Sequence, residues 1–233
     1  MSAENDLATM LQEGPVADLL RAEEALQVAT TIGSHADAVN ASNFRAILIS
    51  LQSYSVEQFV LAVTRLYDRP HPHYSLRSLP AVLEFVRTNA GALQIRQPTW
   101  VERGVARLGI TISANGDQEH TTIAVADELI KVLPTPKNNA ALNALKALRD
   151  KRLAHPENIE AEQIPRTTWE PAEALLEPPK QIVGILGSYT STAYVDDEGA
   201  YLLSLDAQRA STSLRRLLRE IRVAPPAFPP IGE

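Results

Sequence analysis

Cysteine is absent from the 233 residues, which excludes a disulfide framework, a thiolate metal site and a cysteine nucleophile. That absence suits a reducing compartment, so a cytoplasmic location is expected. Positive charge is in short supply: 22 Lys and Arg face 28 Asp and Glu, for a formal net charge of −6. This argues against broad, nonspecific adhesion to nucleic acid, which depends on Lys and Arg contacts with phosphates, but leaves room for a local basic cleft. Uninterrupted hydrophobic runs are also lacking. The most apolar stretch, Phe44 to Leu66, is broken by Arg45, Gln52, Glu57, Gln58 and Arg65, short of the roughly 20 continuous apolar residues of a membrane span. The first thirty residues carry Glu4, Asp6, Glu13, Asp18, Glu23 and Glu24 and have no long apolar core, so they do not read as a signal peptide. A soluble protein without a membrane partner is expected. Gly187-Ser188 forms no glycine-rich phosphate loop, and there is no nucleophile elbow. His71 and His73 have no Cys or carboxylate pattern beside them, so neither a metal nor another cofactor is expected.

What the chain does have is 45% hydrophobic residues, arranged in helical periods and punctuated by proline. The steps predict an acidic helix from Pro15 to about Thr31. A long core helix follows from about Ser42 to Tyr67, carrying Phe44, Ile47, Leu48, Leu51, Tyr54, Phe59, Val63 and Leu66. Asp68 to His73 is a proline-broken turn. Further helices are predicted from Ser78 or Pro80 to Asn89, from Thr121 to Leu133, from Asn139 to His155, from Trp169 to about Tyr189, where Pro178-Pro179 imply a kink or two shorter helices, and from Asp206 or Ser211 to Ile221. Trp100 can open another. Gly109-Ile110-Thr111-Ile112 alternates like a short strand before the Asn115-Gly116 turn signal, and Asp196 to Gly199 reads as a hairpin apex. The predicted organisation is an N-terminal helical segment over 1–36, a main helical domain over 37–222 and a proline-rich tail over 223–233.

The segment Arg149-Asp150-Lys151-Arg152-Leu153-Ala154-His155 carries the chemistry. At about 100° per residue, Arg149 projects from the leucine face of its helix, with Arg152 and His155 on the same arc of roughly 120°. Lys146, Asp150 and Lys151 are assigned to the opposite face. Pro156 should end the helix at His155, where the negative helix end favours the protonated imidazole. These residue types suit phosphodiester chemistry without a metal. Arginine keeps its charge and can hold two phosphate oxygens as phosphorus becomes five-coordinate, and histidine exchanges a proton near neutral pH. One imidazole cannot easily act as base and acid at once, so a homodimer pairing two such helix ends is expected. The plain alternative is a buried ion pair at Arg149 and a helix-capping His155. Arg65 contacts either RNA or a carboxylate, and Arg215, Arg216, Arg219 and Arg222 either touch RNA or form a solvated face.

RDKRLAH, preceded by NNAALNALKAL, resembles the R-x(4–6)-H signature of the HEPN superfamily. NFRAILISLQSYSVEQFVLAVTRLYD, SLRSLPAVLEFV and TTWEPAEALL are similar to its abortive-infection AbiU-type branch. The resemblance implies an all-α HEPN-like helical bundle, a single domain that dimerises with paired motifs at a central cleft. It also implies metal-independent RNA cleavage in a toxin or antiviral defence system. Arg149 and His155 match the motif positions, and Asp150 stands where Asn or His is common. Arg152, Lys151, Lys146 and Arg65 are the candidate RNA contacts. A nucleotidyltransferase antitoxin is a partner by analogy alone. A noncatalytic HEPN-like module binding RNA, a nucleotide or a protein is the alternative function, and a plain interaction bundle is a third.

Overall fold

The computed structural model describes residues 2–71, 73, 76–112, 117–154 and 165–224. The fold is all-α. Among the described residues there is no strand; Val195 and Tyr201 form an isolated antiparallel bridge. The helices are α1 (Ala3–Leu11), α2 (Ala17–Gly33), α3 (Ala36–Ala41), α4 (Arg45–Leu66), α5 (Leu79–Thr88), α6 (Pro98–Arg107), α7 (Gln118–Val132), α8 (Ala140–Leu148), α9 (Trp169–Glu173), α10 (Glu177–Thr190) and α11 (Ser204–Glu220). Chain contacts divide these into two units, one formed by 1–19 with 60–202 and the other by 20–59 with 203–233.

In the first unit α10 packs on α6, α5 on α7, and α1 on both α5 and α10. Its core includes Leu7, Leu11, Leu79, Leu83, Leu129, Leu142, Ile182, Leu186 and Tyr189. Gly104 lets α6 approach α10, because a methyl group there would run into the side chain of Ile185. Local sequence sets the ends of these helices. The Asp117 side chain accepts the His120 amide at 2.9 Å to start α7, and Asn139 accepts the Leu142 amide at 2.9 Å to start α8; each satisfies an amide with no partner inside the helix. Pro178 and Pro179 stand in the first turn of α10, where missing amides cost nothing. Of the two arrangements expected there, the chain forms two shorter helices, α9 and α10, rather than one kinked helix. Ile110 to Ile112 form no strand, since Gly109, at φ 68°, closes the end of α6 in the left-handed region. Asn115-Gly116 lies outside the described residues. At the expected hairpin apex, the Asp196 carboxylate accepts the amides of Glu198 and Ala200, both at 2.9 Å, and Gly199 supplies the positive φ.

The second unit is built on Ile32, Val39, Leu48, Leu214, Leu218 and Val223. Within it Ser204 donates to the Glu23 carboxylate at 2.8 and 3.0 Å, and Gln52 donates to the Ala29 carbonyl at 3.2 Å. Neither Asp206 nor Ser211 caps α11, which begins after Leu203 without a side-chain cap; both lie inside the helix.

The structure corrects the expectation for α4. Its C-terminal part is core, with Phe59, Val60, Ala62, Val63 and Leu66 buried, but Phe44, Ile47, Leu51 and Tyr54 are exposed. The helix is long and apolar enough to cross a membrane by length and composition, with 28% of its most apolar stretch buried; a soluble core helix meets the same criteria. Another difference lies at the N-terminus. Helix α1 and a π-helical turn over Gln12–Val16 precede α2 where only a helix from Pro15 was expected.

Candidate functional site

Helix α8 ends at Leu148, and the chain continues as a π-helical turn over Arg149–Ala154. The wider i→i+5 turn changes the angular step from Arg149 onward, so an even 100° spacing no longer relates Arg149 to Arg152. His155 and Pro156 lie outside the described residues.

Asp68 is the centre of the described cluster, and the end of α4 fixes its position. The amides of Tyr67 and Asp68 donate to the Thr64 and Arg65 carbonyls at 3.3 and 3.2 Å, closing the helix. The Tyr67 hydroxyl donates to the Leu175 carbonyl at 2.5 Å, and burial pushes its pKa well above the ordinary tyrosine value. Ser78 donates to the Asp68 carbonyl, also at 2.5 Å. The Asp68 carboxylate is thereby held against two cations. Arg149 Nη1 donates to both of its oxygens at 2.9 Å, and Lys146 Nζ donates to Oδ1 at 3.1 Å. Lys146 also donates to the Tyr67 carbonyl at 3.0 Å, placing a positive charge at the C-terminal end of α4 where the helix dipole favours it. Arg149 Nε donates to Asp150 Oδ1 at 2.7 Å.

The side chains of Lys146, Arg149 and Asp68 retain between 16% and 26% of their exposure. Such groups are costly to leave unpaired, and the observed pairing is what makes them tolerable. Desolvation works against the Arg149 charge, but the hydrogen bonds it donates to Asp150 and Asp68, together with their negative charge, outweigh it, holding the guanidinium above its ordinary pKa. Two cations and two carboxylates balance to zero within the cluster. Among the described residues, no partner reaches Arg149 Nη2. The cluster can therefore offer donor edges to an anion, provided Asp68 or Asp150 yields part of its hold.

The candidate residues do not all gather here. Lys146 was assigned to the face away from Arg149, yet it shares Asp68 with it. Three residues apart, they are neighbours on one helix face, a spacing that was readable in advance. Asp150 binds Arg149 directly. Lys151 is half-buried and Arg152 exposed within the π turn. Arg65 belongs elsewhere, 3.9 Å from the Asp18 carboxylate, in agreement with the ion-pair option. Asp68, at the end of the RLYD segment, is not among the site residues that the sequence pattern marks.

The other polar groups have local explanations. His35 Nδ1 lies 2.9 Å from the Thr31 carbonyl and 3.1 Å from Ser34 Oγ. His120 pairs with Asp117 at 2.8 Å. The His71 and His73 rings lie 5.5 Å apart, and among the described residues no three His, Asp or Glu side chains gather as a metal site. Arg215, Arg216, Arg219 and Arg222 are exposed, as a solvated face requires. Compared with known proteins, the chain matches no family model, no curated protein and no solved structure.

Proposed function

We propose that this chain is a metal-independent endoribonuclease of a toxin or antiviral defence system, with Arg149 binding the scissile phosphate and His155 moving the proton. The observation that supports this best is the arrangement of Lys146 and Arg149 on Asp68, two oriented cations at the π turn that runs directly into His155. In the reaction the 2′-hydroxyl attacks phosphorus while an imidazole takes its proton. The developing charge on the non-bridging oxygens falls to Arg149, with Lys146 as the second cation. The bond to the 5′-oxygen then breaks as that oxygen receives a proton, leaving a 2′,3′-cyclic phosphate and a 5′-hydroxyl. A second imidazole from a second copy would let acid and base act together. HEPN membership, a dimeric composite site, cytoplasmic location and an antitoxin partner belong to the same proposal and rest on the RDKRLAH resemblance.

A noncatalytic binding module is the second reading, and one observation favours it: Asp68 and Asp150 already occupy the Arg149 guanidinium. RNA substituted with 2′-deoxy sugars separates the two. The nuclease should bind it and leave it intact while cutting the ribose form to cyclic-phosphate ends. A binding module should hold both and cut neither, with affinity falling in Arg149→Ala.

A further inference from the structure

Helices α6 and α7 of the first unit frame a hollow of about 620 Å³, within the roughly 300–1,000 Å³ of small-molecule sites. Each helix uses one side for packing and gives another to this space. Helix α6 packs on α10 through Gly104, where Ile185 leaves no room for a methyl group. Its Pro98, Glu102 and Val105, at steps of four and three along a different side, line the hollow. Helix α7 packs on α5 and contributes Gln118, Thr121 and Val125, at steps of three and four. Between the two helices the turn at Gly109, φ 68°, brings the chain back on α6, with the Ile110 amide donating to the Val105 carbonyl at 2.9 Å. That turn adds Ile110 and Ile112 to the walls.

Most of the lining is hydrocarbon, and the polar groups in it are mainly acceptors. Glu102 and Asp117 contribute carboxylates, Thr111, Gln118 and Thr121 contribute neutral groups, and no Lys, Arg or His stands in the walls. The arginines of α6 are committed elsewhere, since Arg103 and Arg107 both donate to Asp197. Asp117 is partly answered by its own helix: its Oδ1 accepts the His120 amide at 2.9 Å and lies 2.8 Å from the His120 ring. Glu102 forms no ion pair among the described residues, so it carries the uncompensated charge of the hollow. A ligand that fits must join a hydrocarbon body to a polar end that donates hydrogen bonds and is positive. An ammonium group does both, with three donors and no acceptor. A carboxylate or phosphate would meet like charge, and a polyamine would leave the hydrocarbon walls unmatched.

We propose that the hollow between α6 and α7 binds an apolar primary amine, with its hydrocarbon body against Val101, Val105, Ile110, Ile112 and Val125 and its ammonium group at the Glu102 carboxylate. None of Asp68, Lys146 and Arg149 lines this space, so the site stands apart from the nuclease reading.

Calorimetric titration of the full chain near neutral pH tests the site with naphthylmethylamine, naphthylmethanol and naphthoate, one ring system carrying a cation, a neutral group and an anion. Circular dichroism checks the folding of each variant. Wild type should bind the amine at least about tenfold more tightly than naphthoate, the scale of one charge-assisted hydrogen bond, with the alcohol between them. Glu102→Gln should bring the amine to within roughly threefold of the alcohol. Ala106→Trp and Thr121→Trp, which fill the hollow from α6 and from α7, should each remove binding of all three probes. No binding of the amine by wild type, equal binding of amine and naphthoate, or an amine preference unchanged in Glu102→Gln would overturn the proposal. So would undiminished binding by both folded tryptophan variants, which would place the ligand elsewhere.

Discussion

The two units handle difficult groups in opposite ways. The first draws Lys146, Arg149 and Asp68 away from water and answers every charge from within, with four hydrogen bonds from the two cations ending on Asp68 and the Tyr67 carbonyl. The second leaves Phe44, Ile47 and Tyr54 in water with nothing of its own to cover them. A buried charge has to be settled within the fold, because leaving it unpaired costs several kcal/mol. An exposed hydrocarbon costs far less and can be left for another molecule. The polar cluster therefore belongs to stability as well as to any chemistry, whereas the exposed face at the start of α4 contributes little to the stability of its own unit.

Substitutions in α4 sharpen this contrast most. Phe59, buried to 1% exposure, sits in the part of the helix that serves as core. Phe59→Ala should cost about 3–5 kcal/mol in urea unfolding, the usual range for emptying such a site. Asp68→Ala comes next, at about 3 kcal/mol, because it leaves two partly desolvated cations without their carboxylate; restoring most of that stability in Asp68→Ala/Arg149→Met would show that the unpaired charge was the cause. A loss below about 1 kcal/mol for Asp68→Ala would mean that the cluster behaves as a surface ion pair.

The start of α7 gives a smaller effect with a definite pH dependence. Asp117 holds the His120 imidazole above its ordinary pKa, first by hydrogen bond and then by charge. The backbone hydrogen bond from His120, followed by its side-chain bond, holds the Asp117 carboxyl below its ordinary value. A raised histidine stabilises fully below its unfolded pKa, near 6.5, and loses that contribution as pH rises through the folded value. A lowered carboxyl stabilises above the ordinary range near 3.8 and loses it as pH falls through the folded value. Asp117→Ala should lower the melting temperature by about 2–4 °C, with the largest difference between those limits and a smaller one at alkaline pH. Ile47→Ser should do least, changing stability by no more than about 0.5 kcal/mol, because the side chain it shortens is already exposed.

Helix existence was legible in the sequence wherever apolar residues recurred at three and four, as in α5, α7 and α10. The same pattern did not say which face would be covered: the steps through Phe44 and Tyr54 look like those through Phe59 and Leu66, and only the packing separates them. Helix α1 is not legible in the sequence because its nine residues span too few turns for an apolar step to repeat, although Leu7 and Leu11 are fully buried. At the site, Arg149 and Asp150 were identified from their types and neighbours. Asp68 could not be paired with Arg149 in advance, since they lie 81 residues apart and only the tertiary fold joins them. The π turn was equally hidden, because nothing in RDKRLA departs from ordinary helical composition.

The most direct test of the nuclease assignment is cleavage of tRNA and total RNA in excess chelator by wild type and by His155→Ala, with equal folding verified by circular dichroism. Wild type should cleave to 2′,3′-cyclic phosphate and 5′-hydroxyl ends, with the rate falling by a factor of about 10² or more in the variant, the scale of a general acid–base contribution. Equal cleavage by both proteins, or cleavage that appears only when a divalent ion is restored, would contradict it.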